Sequence, residues 1–551
     1  MERRLLLAIG LMIVVAVLPS LFMKQPPRRP AAARPVATAP ESTAALPGAA
    51  QSVAPVAPVA RALRAAPAAA AVVAAESDTA TIVSPRARYR FSALGASLTA
   101  AELPGLRSFG VGRPGAVNLV RPGDRLLAYR VVVGADTVRF DSVAFGLSRQ
   151  GERIAFAGAQ GPVRLDVAYA RTAGRRFEVD VEGVLEGLEG RGALLLIGLG
   201  NGLTNVEADS ADNYRRYAVI GRRVAPEERT FQKVAAGETS ALEGPFDWVA
   251  VKSKYFIAAM LSPDSTRRDF GGAVVTGGPR NGRTATHAET WVTRAVGPDG
   301  RFRFSLYLGP QEYRELHSMG RQLDKASPYG WIFKPIVMPV SVWITQLLLW
   351  MHENLRMGYG LVLVLFGILV RGLLWPLNQK AMMSSVAMQA VQPHMKEIQD
   401  RYKDDPTRLQ QEMVKLYKEH KVNPLGGCLP MLLPFPILLA LFFVFANTIE
   451  FRGVAFLWLP DLSLRDPYYI IPVVMGASMW ALSKLGQMGM PPNPQAKMMT
   501  TVMPIMMTVM FLNFASGLNL YYAVSNLVSL PQQYFINRAR QAEMERRKGK
   551  A

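Results

Sequence analysis

Cysteine, histidine and acids within its apolar runs are what this chain of 551 residues has least of. A single cysteine, Cys428, excludes an internal disulfide framework and a thiolate metal cluster. The LGGC it completes reads like a lipoprotein box but lies far from the N-terminus, so we take it as chance. Five histidines, His287, His317, His352, His394 and His420, are scattered with no H-E-x-x-H and no ligand spacing, which implies no metal site. No long apolar run contains an Asp or Glu, which argues against proton-coupled transport and aspartyl proteolysis inside a membrane. None contains a histidine either, so an intramembrane Ser/His pair is absent. There is no G-x-x-x-x-G-K-[ST], hence no ATP motor. Gly110, Gly112 and Gly115 spell G-x-G-x-x-G, but Pro114 interrupts the helix that motif must open. The chain reads as a protein without cofactor, covalent chemistry or ATP hydrolysis.

What is present falls into blocks. Residues 1–24 hold Arg3, Arg4 and an apolar run from Leu5 to Met23, the pattern of an uncleaved signal anchor. Residues 25–77 are Ala, Pro and Val, a disordered or extended tether. From 78 to 325, alternating segments such as RLDVAYA, RRFEVDVEG and RFRFSLYLG between turn residues predict an all-β sandwich. Residues 326–356 carry Trp331, Trp343 and Trp350, with Val340, Trp343, Leu347 and Met351 on one face, and predict a helix lying in a membrane interface; the alternative is that it spans. Between 357 and 537 lie five apolar segments, making six transmembrane helices with the anchor.

Charge orients them. Formal net charge is +21, but its basic residues lack aromatic interleaving, which points to anionic phospholipids and the RNA of a bound ribosome rather than to DNA. The segment 378–421 holds eight basic residues and the tail 538–551 six, so both are expected in the cytoplasm, with the N-terminus inside and the β domain outside. Within 378–421, Val391, Met395, Ile398 and Tyr402, then Leu409, Met413 and Leu416, predict an antiparallel helical hairpin. Asp405 is the expected N-cap and Pro406 the first helical residue. The hairpin reads either as a solvated spacer or as a docking arm.

Arg371 is the one charge in the run 357–377. An arginine at membrane depth costs roughly 2.5 to 3.5 kcal/mol on insertion scales, so it either faces a wet cavity or snorkels to the headgroups past nearby Pro376. Asn519, Tyr522, Asn526, Ser529 and Gln533 follow 3-4-3-4 spacing, giving one helix a polar face. That face either lines the same cavity or forms interhelical hydrogen bonds. Met499, Met503, Met506 and Met510 form an apolar stripe that suits either a surface meeting varied helices or ordinary packing.

The stretches LVRGLLWPLNQKAMMSSVAMQAVQPHMKEIQ, QEMVKLYKEHKVNPLGGCLPMLLPFPILLALF and MPIMMTVMFLNFASGLNLYYAVSNLVSLPQQY closely resemble the YidC/Oxa/Alb membrane insertase family, over about 327–540. WVAVKSKYFIAAML and YLGPQEYREL look like the mutarotase-like supersandwich that Gram-negative members carry in the periplasm. The resemblance implies a multi-pass protein of the bacterial inner membrane, with both termini cytoplasmic, that inserts and helps fold nascent membrane proteins, alone or with the Sec translocon. It implies a hydrophilic groove holding Arg371, with Asn519, Tyr522, Asn526 and Ser529 on its polar wall. It implies a hydrophobic slide, to which Pro430, Phe435, Leu438, Met503, Met507 and Met510 fit. Lys396, Arg401 and Lys403 of the hairpin and Arg546, Arg547 and Lys548 of the tail would meet the ribosome and the signal recognition particle receptor. Two other readings are a transporter or channel using Arg371 as an anion site, and an anchored carbohydrate-binding module.

Overall fold

The structure is a computed structural model. It describes residues 78–548 apart from 189, 191, 225–227, 282–283, 328–332, 380–390, 404, 421–434 and 489–497. The expected anchor, the tether, Pro430 and Cys428 lie outside the described residues.

Alternation in the sequence becomes a sandwich. In Val163–Arg171, Val163, Leu165 and Val167 turn inward while Arg164 is exposed and Asp166 half-buried. Nine antiparallel strands form the larger sheet, in the order Glu228–Lys233, Ala218–Arg223, Trp248–Lys252, Phe256–Leu261, Arg301–Pro310, Glu178–Glu186, Val163–Arg171, Arg153–Gln160 and Gly146–Gln150. A six-stranded sheet runs Thr239–Phe246, Phe270–Gly277, Ala288–Val296, Ala193–Gly198, Ala128–Val133 and Asp136–Arg139. A four-stranded sheet begins the domain at Thr79–Val83. Their inner faces share one core, in which Phe91, Tyr129, Tyr169, Val181, Ile197, Trp248 and Phe304 are buried. Trp248–Lys252 and Phe256–Leu261 do not alternate, because they are buried on both faces. Residues 311–327 cover them: Trp248 Nε1 donates to the Arg321 carbonyl at 3.0 Å and Lys252 Nζ to Ser327 Oγ at 2.5 Å.

Apolar helices follow. Lys334–Leu355 packs on Phe435–Asn447, and both Tyr359–Leu373 and Ile470–Gly486 pack on the long helix Ser516–Lys548. Leu348, Val362, Phe366, Leu441, Phe445, Phe511 and Tyr521 form their core. Gly476 permits a close approach, since a Cβ there would collide with Thr508, whose hydroxyl is bonded back to the Pro504 carbonyl at 2.7 Å.

The membrane expectations change here. Among the described residues, the helix long and apolar enough to cross a membrane is Lys334–Leu355, the segment expected to lie in the interface. Its buried face is Val337, Ser341, Ile344, Thr345, Leu348, Leu349 and Met351; of the expected stripe, Met351 is buried, Val340 and Leu347 are half-buried against the bundle core, and Trp343 is turned out. The sequence periodicity marked a face rotated from the centre of the buried one, where Ser341 donates to the Ala440 carbonyl at 3.1 Å. Tyr359–Leu373, Pro436–Asn447, Ile470–Gly486 and Thr500–Phe511 are apolar helices of 10–17 residues, so six full spans are not established by length. The segment expected as one span from Met498 begins with a π-helical turn, Met498–Val502, before the α-helix Met503–Phe511. No break separates the expected tail from the bundle; Ser516–Lys548 is one helix of 33 residues, about 50 Å at ~1.5 Å per residue.

The hairpin folds as Gln392–Arg401 against Pro406–Glu419. Asp405 caps the second helix, its carboxylate accepting from the Arg408 N–H at 3.0 Å. Met395, Ile398, Tyr402, Leu409 and Met413 are half-buried along the seam, and Val391 and Leu416 are buried.

Candidate functional site

Tyr359–Leu373 carries Arg371 in its last turn. The lipid-type side of this helix is marked by exposed Leu361, Ile368, Leu369 and Leu373. Arg371 turns elsewhere: it is half-buried and close enough to Tyr521 and Tyr522 of the long helix to couple with them electrostatically. Its Nε is shut off from solvent and has no hydrogen-bond partner among the described residues. No carboxylate pairs with it among those residues either, so the cation is uncompensated where burial makes that costly.

The polar stripe divides. Tyr522, which couples with Arg371, and Asn526, one turn further along the same helix, are half-buried, and Asn526 Nδ2 has no partner among the described residues. Tyr522 also stacks on Phe511, with ring centroids 5.8 Å apart. Asn519 is 0% exposed and donates to the Phe511 carbonyl at 3.0 Å, so it ties two helices together instead of lining a cavity. Ser529 is buried and donates back to Ser525 of its own helix at 2.5 Å, which removes it from the wall as well. Gln533 bonds Asn537, and Gln532, off the expected stripe, accepts from Asn378 Nδ2 at 3.2 Å. Spacing placed these residues on one face; only the neighbours decide which of them meets a helix and which meets open space.

The apolar positions also separate. Met507 and Leu438 are half-buried against the bundle core, Met503 is half-buried, and Met510 is exposed. Val502, Ile505, Met506 and Val509 extend that exposed surface. Phe435 begins its helix, and its side chain lies outside the described set, as do those of Lys396, Arg546, Arg547 and Lys548. Arg401 and Lys403 are exposed at the hairpin tip.

A second constellation was not anticipated. The segment after Phe435–Asn447 plugs into the β domain, where Ile449 joins the sandwich core. Arg452 Nε donates to both carboxylate oxygens of Glu207 at 2.9 Å, and its Nη atoms to the carbonyls of Arg107 at 2.8 Å and Val206 at 3.0 Å. Tyr255 adds a bond to the Phe445 carbonyl at 3.3 Å. The one available signal was that Glu450 and Arg452 are the first charges after a long uncharged run.

Glu450 at this joint accepts from the Tyr313 N–H at 3.4 Å, while its Oε2 has no partner among the described residues. Burial, the largest cause, pushes its carboxyl up from 4.5 to about 7. The folded state then holds a proton that the unfolded chain has released, so this contribution to stability is full below pH 4.5 and is lost as pH rises to about 7. Thermal unfolding across that window is expected to show a falling melting temperature that Glu450→Gln flattens; equal slopes would place the titration elsewhere.

Two family models match adjoining parts of this chain: the YidC periplasmic domain matches residues 204–351 and the 60Kd inner membrane protein matches 350–544. The chain belongs to the YidC membrane insertase family. It is 38% identical over 317 residues to the membrane protein insertase YidC of Syntrophus aciditrophicus, covering 56% of this chain and 55% of that one. It is 31% identical over 405 residues to that of Chlorobium limicola, covering 68% and 66%. In these alignments the chain spans about half to two thirds of the relatives' length. A crystal structure of an active YidC insertase is similar over 84% of this chain and 93% of its own, with a TM-score of 0.34 at 17% identity. The 60Kd inner membrane protein match, 350–544, contains Arg371, Tyr522, Asn526 and the exposed methionine surface.

Proposed function

We propose that this chain is a membrane protein insertase of the bacterial inner membrane, with the β domain periplasmic and the hairpin and both termini cytoplasmic. The observation that carries the reading is Arg371, a half-buried cation with no counter-charge among the described residues, beside Tyr521 and Tyr522 of the long helix. Such a group attracts the polar, often acidic, tail of an incoming segment and lowers the desolvation cost of moving it into the membrane. The exposed surface of Ile505, Met506, Val509 and Met510 then offers an apolar path along which the segment's helix passes into lipid. Burial of that helix drives the reaction, so neither ATP nor covalent chemistry is required. In this scheme six helices cross the membrane, the four short ones locally thinning it. Arg401 and Lys403 at the hairpin tip dock the ribosome or the signal recognition particle receptor, and the Sec translocon shares some substrates.

The test is reconstitution of the purified chain into phospholipid vesicles with a single-span substrate bearing an acidic tail. Protease-protected substrate, formed without ion flux and reduced when the tail is made basic, supports the proposal. Anion flux with no insertion would instead identify a channel.

A further inference from the structure

The loop between Phe435–Asn447 and Ile470–Gly486 carries a built feature that the insertion path leaves unused. Phe456 and Leu459 exchange two backbone hydrogen bonds, each 2.9 Å, which closes a tight turn with Leu457 and Trp458 at its tip. Leu457 sits at φ +53°, a left-handed conformation that such turns usually give to Asn or Gly. Its side chain is nonetheless 73% exposed. An apolar, branched residue held in a left-handed conformation at an exposed tip serves nothing in packing, and outliers of this kind cluster at functional sites.

The tip is fixed from below. Asp466, fully buried, accepts from Trp458 Nε1 at 3.3 Å, from the Tyr468 N–H at 3.0 Å and from the Ile471 N–H at 2.8 Å. One carboxylate thus ties the Leu457 turn to the first turn of Ile470–Gly486 and orients Tyr468 and Tyr469, both exposed. Arg465 is exposed in the same loop. The β domain adds Val111, 89% exposed and two residues from Phe109, whose ring lies 4.5 Å from the Arg452 guanidinium.

We propose that this rim is an interfacial anchor that holds the headgroup and glycerol zone of the outer leaflet. The inference rests on the reading of these helices as a membrane bundle. The rim lies where the apolar outer surface of Ile470–Gly486, with Val473 and Val474 exposed, gives way to the charged β domain held by Arg452. Aromatic rings with polar tips favour that zone, a guanidinium matches lipid phosphate, and Leu457 reaches the upper acyl chain.

A Cys428→Ser chain leaves no other cysteine, so a single cysteine can be placed in turn at Leu457, Leu369 and Val83 and labelled with an environment-sensitive fluorophore. In vesicles of phosphatidylethanolamine and phosphatidylglycerol carrying nitroxide lipids, the label at 457 is expected to lose most of its emission to a shallow nitroxide. The label at 369 should be quenched by a deep one, and the label at 83 by neither. Water-like, unquenched emission at 457 with quenching retained at 369 overturns the anchor alone. Blue-shifted but unquenched emission at 457 shows a protein occupant and also overturns it. Loss of quenching at 369 as well shows that the bundle reading itself has failed.

Discussion

Arg371→Ala is expected to reduce insertion of an acidic-tailed substrate at least ten-fold, while Arg371→Lys retains most of it. A unit charge pair at ~4 Å in a medium of effective dielectric ~20 is worth about 4 kcal/mol, and a third of that is about a factor of ten. Lysine keeps the charge but loses the planar fork, so it should serve a diffuse tail better than one gripped in two places. Folding should not suffer from the alanine change, because the Arg371 Nε has no hydrogen-bond partner among the described residues and its removal strands no counter-charge there. Insertion rates in vesicles, read beside melting temperatures, check both halves. Equal insertion by all three proteins would mean that Arg371 merely reaches the headgroups.

Arg452→Ala is expected to be the most destabilising single change at the joint. The guanidinium makes two charge-assisted bonds to Glu207 and two more to backbone carbonyls. Side-chain exposures of 3% and 6% leave neither partner to water, and burial already pushes the Glu207 carboxyl up. Removing one partner of such a pair costs about 3–5 kcal/mol, since the other charge stays buried alone. Replacing both, as in Arg452→Met with Glu207→Leu, should recover much of the loss because apolar groups strand no charge. Chemical unfolding followed by tryptophan fluorescence resolves the series; an alanine variant within ~0.5 kcal/mol of native would show that water compensates Glu207, as at surface sites.

Much of this architecture is legible from the residues, and where it is not the reason is physical. The β domain shows itself through alternation wherever one strand face is polar, but Trp248–Lys252 and Phe256–Leu261 lose that signature by being covered twice. Asp405 and Pro406 declare a helix start because capping is local chemistry. Arg371 stands out because a charge in an apolar run is conspicuous at any resolution of reading. Asn519 and Ser529 mislead, since 3-4 spacing assigns a face and is silent about what faces it. The Arg452–Glu207 pair is invisible to any window, its partners being 245 residues apart.

Ile449 joins the core of the sandwich although its chain neighbours belong to the helical bundle. That makes the β domain a graft with shared tissue rather than an appendage: excising it would leave an open hydrophobic wound and an orphaned Arg452 on the bundle. A swivel of one part over the other would have to withdraw a core residue at every cycle. Rigid swivelling of the β domain on the bundle is therefore opposed at this suture.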